Sequence, residues 1–246
     1  MRNIKLTLEY DGSRYHGWQR LGKGEAETTI ENKLLEIIKK MTGEDAQLNC
    51  GCRTEAGVHA YAQIANFKTG SRMKPYEIKN YFNRYLPMDI AVIDVEEVPE
   101  RFHAALNAKA KTYLYRIAIG DVPSVFERKY TYYCFKTPEV PLMKAAAKQL
   151  IGRHDFKDFS TVKKSKSTVK EIYSIDIYQD DKEIQITLRA NDFLHNMARM
   201  IVSTLLEIGL HDREIADLGA ILDPKSLDMA SAPASAQGLF LQEVEY

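Results

Sequence analysis

Ile4, Leu6, Leu8 and Tyr10 alternate with polar neighbours at the start of the chain, the period of a half-buried strand, and Asp11-Gly12 closes the run in a turn. The period then becomes helical. Ile30, Leu34, Leu35, Ile37, Ile38 and Met41 form one apolar stripe, with Thr28 and Glu31 at capping-box spacing before it and Gly43 at its end. Short strands are predicted from Gln47 to Cys50 and from Ile64 to Phe67. A second helix is predicted from Pro75 to Leu86-Pro87, and a strand from Ile90 to Val95. Beyond Arg101 the order repeats without sequence likeness. Tyr113, Tyr115, Ile117 and Ile119 alternate as a strand, and a helix runs from Pro141 to Leu150-Ile151-Gly152. Tyr173, Ile175 and Ile177 pair with Ile184, Ile186 and Leu188 in a hairpin around Asp180-Asp181-Lys182. Asn191 or Asp192 then caps a long helix carrying Phe193, Leu194, Met197, Ile201, Leu205 and Ile208, with Gly209 just past its end. A further helix follows Asp212, and Leu239, Leu241 and Val244 mark a terminal strand.

Each half therefore reads strand, helix, two strands, helix, strand. This predicts an α+β protein of two ferredoxin-like units, 1–104 and 105–246, whose mainly antiparallel sheets join with helices on one side. Such an arrangement leaves one sheet face open, and several RNA-binding modules present basic and aromatic side chains on a face of that kind.

Composition narrows the classes. In 246 residues, 45% of them hydrophobic, no run approaches the roughly eighteen apolar residues of a membrane span, and the first strand does not resemble a signal peptide, so the cytoplasm is expected. Three cysteines, Cys50, Cys52 and Cys134, make no disulfide framework, and Cys50-x-Cys52 lacks a second ligand pair for zinc. With 34 basic and 34 acidic residues the net charge is zero, so attraction to nucleic acid must come from local patches. The clearest candidate is Lys163, Lys164, Lys166 and Lys170; a second basic run passes from Arg101 through Lys109 and Lys111 to Arg116.

The segment Cys50-Gly51-Cys52-Arg53-Thr54-Glu55-Ala56-Gly57-Val58-His59-Ala60 packs an arginine, a carboxylate and glycines between two strands. By residue chemistry alone it fits either an Arg-Thr-Glu turn with a surface ion pair and a glycine needed for a positive φ, or a loop that offers a carboxylate to a ligand. It resembles the Gly-Arg-Thr-Asp-Ala-Gly-Val-His signature of the tRNA pseudouridine synthase A family. The likeness continues through LEYDGSRYHGWQR (Leu8 to Arg20), LPMDIAV (Leu86 to Val92), RFHA (Arg101 to Ala104), KTYLYRI (Lys111 to Ile117), GRHDFKDF (Gly152 to Phe159), RANDFLHNMARMIV (Arg189 to Val202) and GLFLQEVEY (Gly238 to Tyr246). The resemblance implies the pseudouridine synthase fold and isomerisation of uridine in tRNA, usually in the anticodon stem-loop. It also implies action without metal or organic cofactor, and a homodimer. By position, Glu55 would be the catalytic carboxylate, Arg53 would hold the flipped nucleotide, Tyr113 would stack on the target base and Arg199 would pair with the carboxylate. An ionised carboxylate suits a reaction in which an N-glycosidic bond is exchanged for a C-glycosidic one.

The chain departs from the family pattern at its centre. Glu55 stands where the family has aspartate, which keeps the charge and adds a methylene; Cys52 replaces a glycine, Ala105 an arginine and Ser203 a glycine. Two readings follow: an active synthase whose loop accommodates glutamate, and a non-catalytic paralogue that binds or folds RNA through lysines and arginines.

Overall fold

The computed structural model describes residues 1–19, 28–161, 167–223 and 230–246. Packing of the backbone divides the chain into two compact units, Met1–Lys109 with Phe240–Tyr246, and Ala110–Leu239. The chain passes from the first unit to the second after Lys109. The terminal strand packs with the first unit and not with the half 105–246, because Phe240 and Leu241 pair in parallel with His59 and Ala60.

In the first unit the chain runs through β1 (Arg2–Tyr10), α1 (Ile30–Thr42), β2 (Leu48–Cys50), β3 (His59–Thr69), α2 (Pro75–Tyr85) and β4 (Ile90–Val98). β1 lies between β3 and β4, antiparallel to both, and β2 adds to β3. Ile4, Leu6, Leu8 and Tyr10 are all buried, so the period-two pattern records one covered face. α1 is capped by Thr29, not Thr28: the Thr29 hydroxyl accepts the Asn32 N–H at 3.4 Å. Gly43 ends the helix at φ 75°, the left-handed conformation open to glycine.

The second unit contains β5 (Ala110–Ala118), β6 (Tyr132–Tyr133), α3 (Val140–Leu150), β7 (Gly152–Asp155), β8 (Val169–Gln179), β9 (Glu183–Ala190), α4 (Met197–Gly209) and α5 (Asp217–Ile221); β10 (Leu239–Glu245) closes the chain. The order β5-β9-β8 repeats the β1-β3-β2 order of the first unit, so an α+β, mainly antiparallel arrangement holds in each. Neither β6 nor β7 was expected from sequence. α4 starts four residues later than its first predicted side chain, at Met197, with Asn196 as its first cap. Gly209 is its last helical residue and not its stop. A Cβ there would lie 2.8 Å from Met143 Cγ and 2.9 Å from Pro138 Cβ, so the glycine permits close approach of α3.

The expected cap residues have other partners. Asn191 Oδ1 accepts the Glu171 N–H at 3.0 Å, and Asp192 accepts Lys111 Nζ at 2.5 Å and Lys170 Nζ at 2.7 Å. Arg116 is bidentate to Glu183, with Glu127 at 3.3 Å. Lys111, Arg116 and Lys170 are thus neutralised by carboxylates, which shortens both predicted basic patches. Lys163, Lys164 and Lys166, like Arg20, lie outside the described residues.

Burial opposes ionisation of Asp192, but Lys111 and Lys170 together outweigh it and hold the carboxyl below its usual range. The stabilisation is therefore complete above the unfolded carboxylate value of about 3.9 and is lost as pH falls through the lower folded value. Asp192 keeps 41% side-chain exposure, so screening limits its contribution to about 1 kcal/mol. We expect Asp192→Asn to lower Tm at pH 7 by about 2–4 °C. That gap should close in melts recorded under strongly acidic conditions; a gap constant with pH would reject the ion-pair account.

Candidate active site

β2 and β3 stay paired until Cys50 faces Ala65, and the Gly51 N–H still reaches the Ile64 carbonyl at 2.7 Å. Past that point the connection leaves the ladder, and its backbone groups need other partners. Gln63 supplies two of them. Its Oε1 accepts the Cys52 N–H at 3.2 Å and its Nε2 donates to the Cys52 carbonyl at 2.6 Å. Nε2 has a second hydrogen, and Tyr10 Oη lies 3.3 Å away; the Tyr10 hydroxyl in turn pairs with the Thr54 hydroxyl at 2.7 Å. Burial pushes the Tyr10 phenol far above its ordinary value, so it remains a protonated donor. The loop closes on itself where the Val58 N–H meets the Glu55 carbonyl at 3.2 Å.

The segment that follows β1 grips the loop from a second side. Trp18 N–H donates to the Thr54 carbonyl at 2.9 Å and Gly57 N–H to the Tyr15 carbonyl at 3.2 Å. Gly17, at φ +90°, lies so close that a Cβ would stand 2.6 Å from the Thr54 oxygen, and a Cβ on Gly12 would overlap the Val58 carbonyl. This segment is itself anchored: Tyr15 Oη donates to Asp89 Oδ1 at 2.7 Å, and Arg14 Nε reaches Asp89 Oδ2 at 2.9 Å. His59 is buried at the far end of the loop, its Nδ1 3.1 Å from the Gly12 N–H and its ring stacked on Phe240 at 4.6 Å.

These contacts hold the loop by its backbone and leave Arg53 exposed and Glu55 half-buried between two clamped positions. The clamps fix where the Glu55 side chain leaves the backbone, and a carboxylate so placed can serve as a nucleophile toward a bound nucleotide. Tyr10→Phe would strip the buried Thr54 hydroxyl of this partner. We expect a loss of about 1–2 kcal/mol, read as a lowered denaturation midpoint with an unchanged m-value.

The four predicted site residues divide between the units: Arg53 and Glu55 in the first, Tyr113 and Arg199 in the second. Tyr113 is 5% exposed and packs edge-on against Phe193 at 5.1 Å. Arg199 lies in the first turn of α4, with its Nε donating to the Ala234 carbonyl at 2.6 Å. Ala105 is exposed, in the place of the family's arginine. Ser203 uses its hydroxyl where the family has no side chain, reaching the Ala232 carbonyl at 2.6 Å. Cys50, Cys52 and Cys134 are buried and form no disulfide, and among the described residues no group of three or more His, Cys, Asp or Glu is placed to hold a metal ion. Sequence reasoning did not single out Gln63, Tyr10, Gly12 or Gly17 as loop supports. The two glycines, five residues apart in the first family-like block, were the available signal.

Residues 7–106 and 146–246 match the family model described as tRNA pseudouridine synthase. Glu55 and Arg199 fall inside the matched stretches; Tyr113 falls between them. A Bacillus cereus protein named tRNA pseudouridine synthase A 2 is 45% identical over 248 residues, covering 100% of both chains. A Bacillus anthracis protein of the same name is 44% identical, and a Clostridium tetani protein named tRNA pseudouridine synthase A 1 is 42% identical, again over 100% of both chains.

Proposed function

The chain belongs to the tRNA pseudouridine synthase family, and from that premise we propose that it converts uridine to pseudouridine in the tRNA anticodon stem-loop with Glu55 as its nucleophile. The observation that carries this is the Glu55 loop: a carboxylate at the family's nucleophile position, on a backbone fixed by Gln63, Tyr10 and Trp18. In the reaction the bond from C1′ to N1 breaks and one from C1′ to C5 forms. The C5 proton leaves to solvent and N1 gains one, so substrate and product are isomers and no co-reactant is consumed. An ionised carboxylate can act as nucleophile or base in this exchange once the base has been turned out of the stack. By family likeness Arg53 holds the flipped nucleotide, Tyr113 stacks on the target base and Arg199 is the arginine assigned to the catalytic carboxylate, which keeps that group ionised. A tRNA substrate supports a cytoplasmic location, and family likeness supports a homodimer. No helix among the described residues is long and apolar enough to cross a membrane.

The presence of Glu55, with Cys52 and Ala105 beside the family's pattern, favours one other reading: an RNA-binding paralogue without turnover. Release of tritium from tRNA labelled at uridine C5 separates the two. We expect the wild-type protein to release it in step with pseudouridine formation. Retention of tRNA with no release, joined by release from Glu55→Asp, would establish the non-catalytic reading instead.

A further inference from the structure

Asn196 has a backbone conformation that residues at its position do not normally take. A residue before a helix is ordinarily extended, with its side chain accepting an amide of the first turn. Asn196 instead sits at φ 63°, ψ 2°, in the left-handed region, and makes no side-chain cap hydrogen bond. An outlier of this kind persists only where neighbouring structure holds it, and asparagine and aspartate tolerate it better than other residues with a Cβ.

The side chain released from capping is used elsewhere. Asn196 Oδ1 accepts from Arg199 Nη1 at 3.0 Å, and Asn196 Nδ2 donates to Thr161 Oγ1 at 2.9 Å. Arginine can only donate, so the amide atom facing it must be the oxygen. Thr161 Oγ1 is in turn 2.7 Å from His195 Nδ1. On its other side the Arg199 guanidinium donates through Nε to the Ala234 carbonyl at 2.6 Å, and the Ala234 N–H returns to the Arg199 carbonyl at 3.2 Å. The guanidinium is thus held at Nε and Nη1 by two oxygens from different parts of the second unit, and its plane is set before any ligand arrives.

We propose that Asn196 is a positioning residue: its left-handed backbone turns the amide away from the helix amides and onto Arg199, fixing the guanidinium in the one orientation in which it acts. This rests on the role given to Arg199 above. The fork of an arginine is directional, so a guanidinium free to rotate would lose both bound geometry and rate.

The test is a double-mutant cycle of Asn196→Gly with Arg199→Ala, read in single-turnover tritium release, tRNA affinity and Tm. Glycine takes the left-handed conformation without a Cβ, so it removes the amide and keeps the backbone. We expect Asn196→Gly to slow release or weaken tRNA affinity by about tenfold or more at an unchanged Tm. In the Arg199→Ala background the same change should have an effect below about twofold, since the residue it acts through is gone. Asn196→Asp, which retains an acceptor for Arg199 and tolerates the backbone, should recover most of the loss. Equal effects of Asn196→Gly in both backgrounds, no effect in either, or no recovery by Asn196→Asp would overturn the proposal. Were the wild-type protein to release no tritium, the catalytic reading would fall, and the cycle read on tRNA affinity alone would still decide the role of Asn196.

Discussion

Glu55→Gln is expected to abolish tritium release, lowering the single-turnover rate by at least about 10⁴-fold, while tRNA affinity and Tm stay near their wild-type values. The substitution removes a charge and keeps the shape. The loop should not move, because its holding bonds run to backbone groups of Cys52, Thr54 and Gly57 and to the Thr54 hydroxyl. Affinity should survive because phosphate contacts dominate binding to nucleic acid and depend on lysine and arginine. Glu55→Asp probes reach: withdrawing the carboxylate by about 1 Å should slow the reaction about a hundredfold if the site is built for glutamate. A Glu55→Gln protein that still releases tritium at a tenth of the wild-type rate would remove Glu55 from the chemistry.

Gly12→Ala should cause the largest damage of any single methyl group added near the site. The new Cβ would overlap the Val58 carbonyl, and both partners are backbone: one at the end of β1, the other at the end of the Glu55 loop. Neither can rotate away as a side chain would. Overpacking of this sort costs about 1–3 kcal/mol or more, which in a chain of this size lowers Tm by about 5–10 °C. Activity should fall further than stability explains, by about a hundredfold, since relief of the clash displaces the loop. Gly43→Ala is the matched control, for it has positive φ but meets nothing within 4 Å. It should cost only the conformational strain, about 1 kcal/mol, with activity intact. If the two variants lose stability equally and both keep full activity, contact between Gly12 and Val58 does not set the loop.

The elements legible in the sequence are those whose period survives in the fold. β1 from Ile4 onward and β9 throughout show one buried face residue by residue, and α1 shows an apolar stripe bounded by residues that act as cap and stop. The start of α4 was not legible, because Asn191, Asp192 and Asn196 are all residues that cap helices. Only the tertiary partners tell them apart: Glu171 takes the first and two lysines the second. Likewise the lysines at 111 and 170 read as a basic surface until Asp192 is seen between them. The position of the candidate carboxylate was legible through family likeness, and its support was not. A side-chain amide meeting the backbone of a residue eleven positions away, as Gln63 meets Cys52, has no period and leaves no local mark.

The grip of Gln63 on residue 52 takes hold of an amide and a carbonyl, groups that every residue but proline possesses in full. The same is true of the grips by Trp18 on residue 54 and by Tyr15 on residue 57. A holder of this kind is indifferent to the side chains it carries, so glycine can become cysteine at 52, and aspartate can become glutamate at 55, without rebuilding the frame. The frame of the loop and the reactive group it carries are therefore separable: the side chain can be exchanged while the hydrogen bonds that hold the backbone stay available.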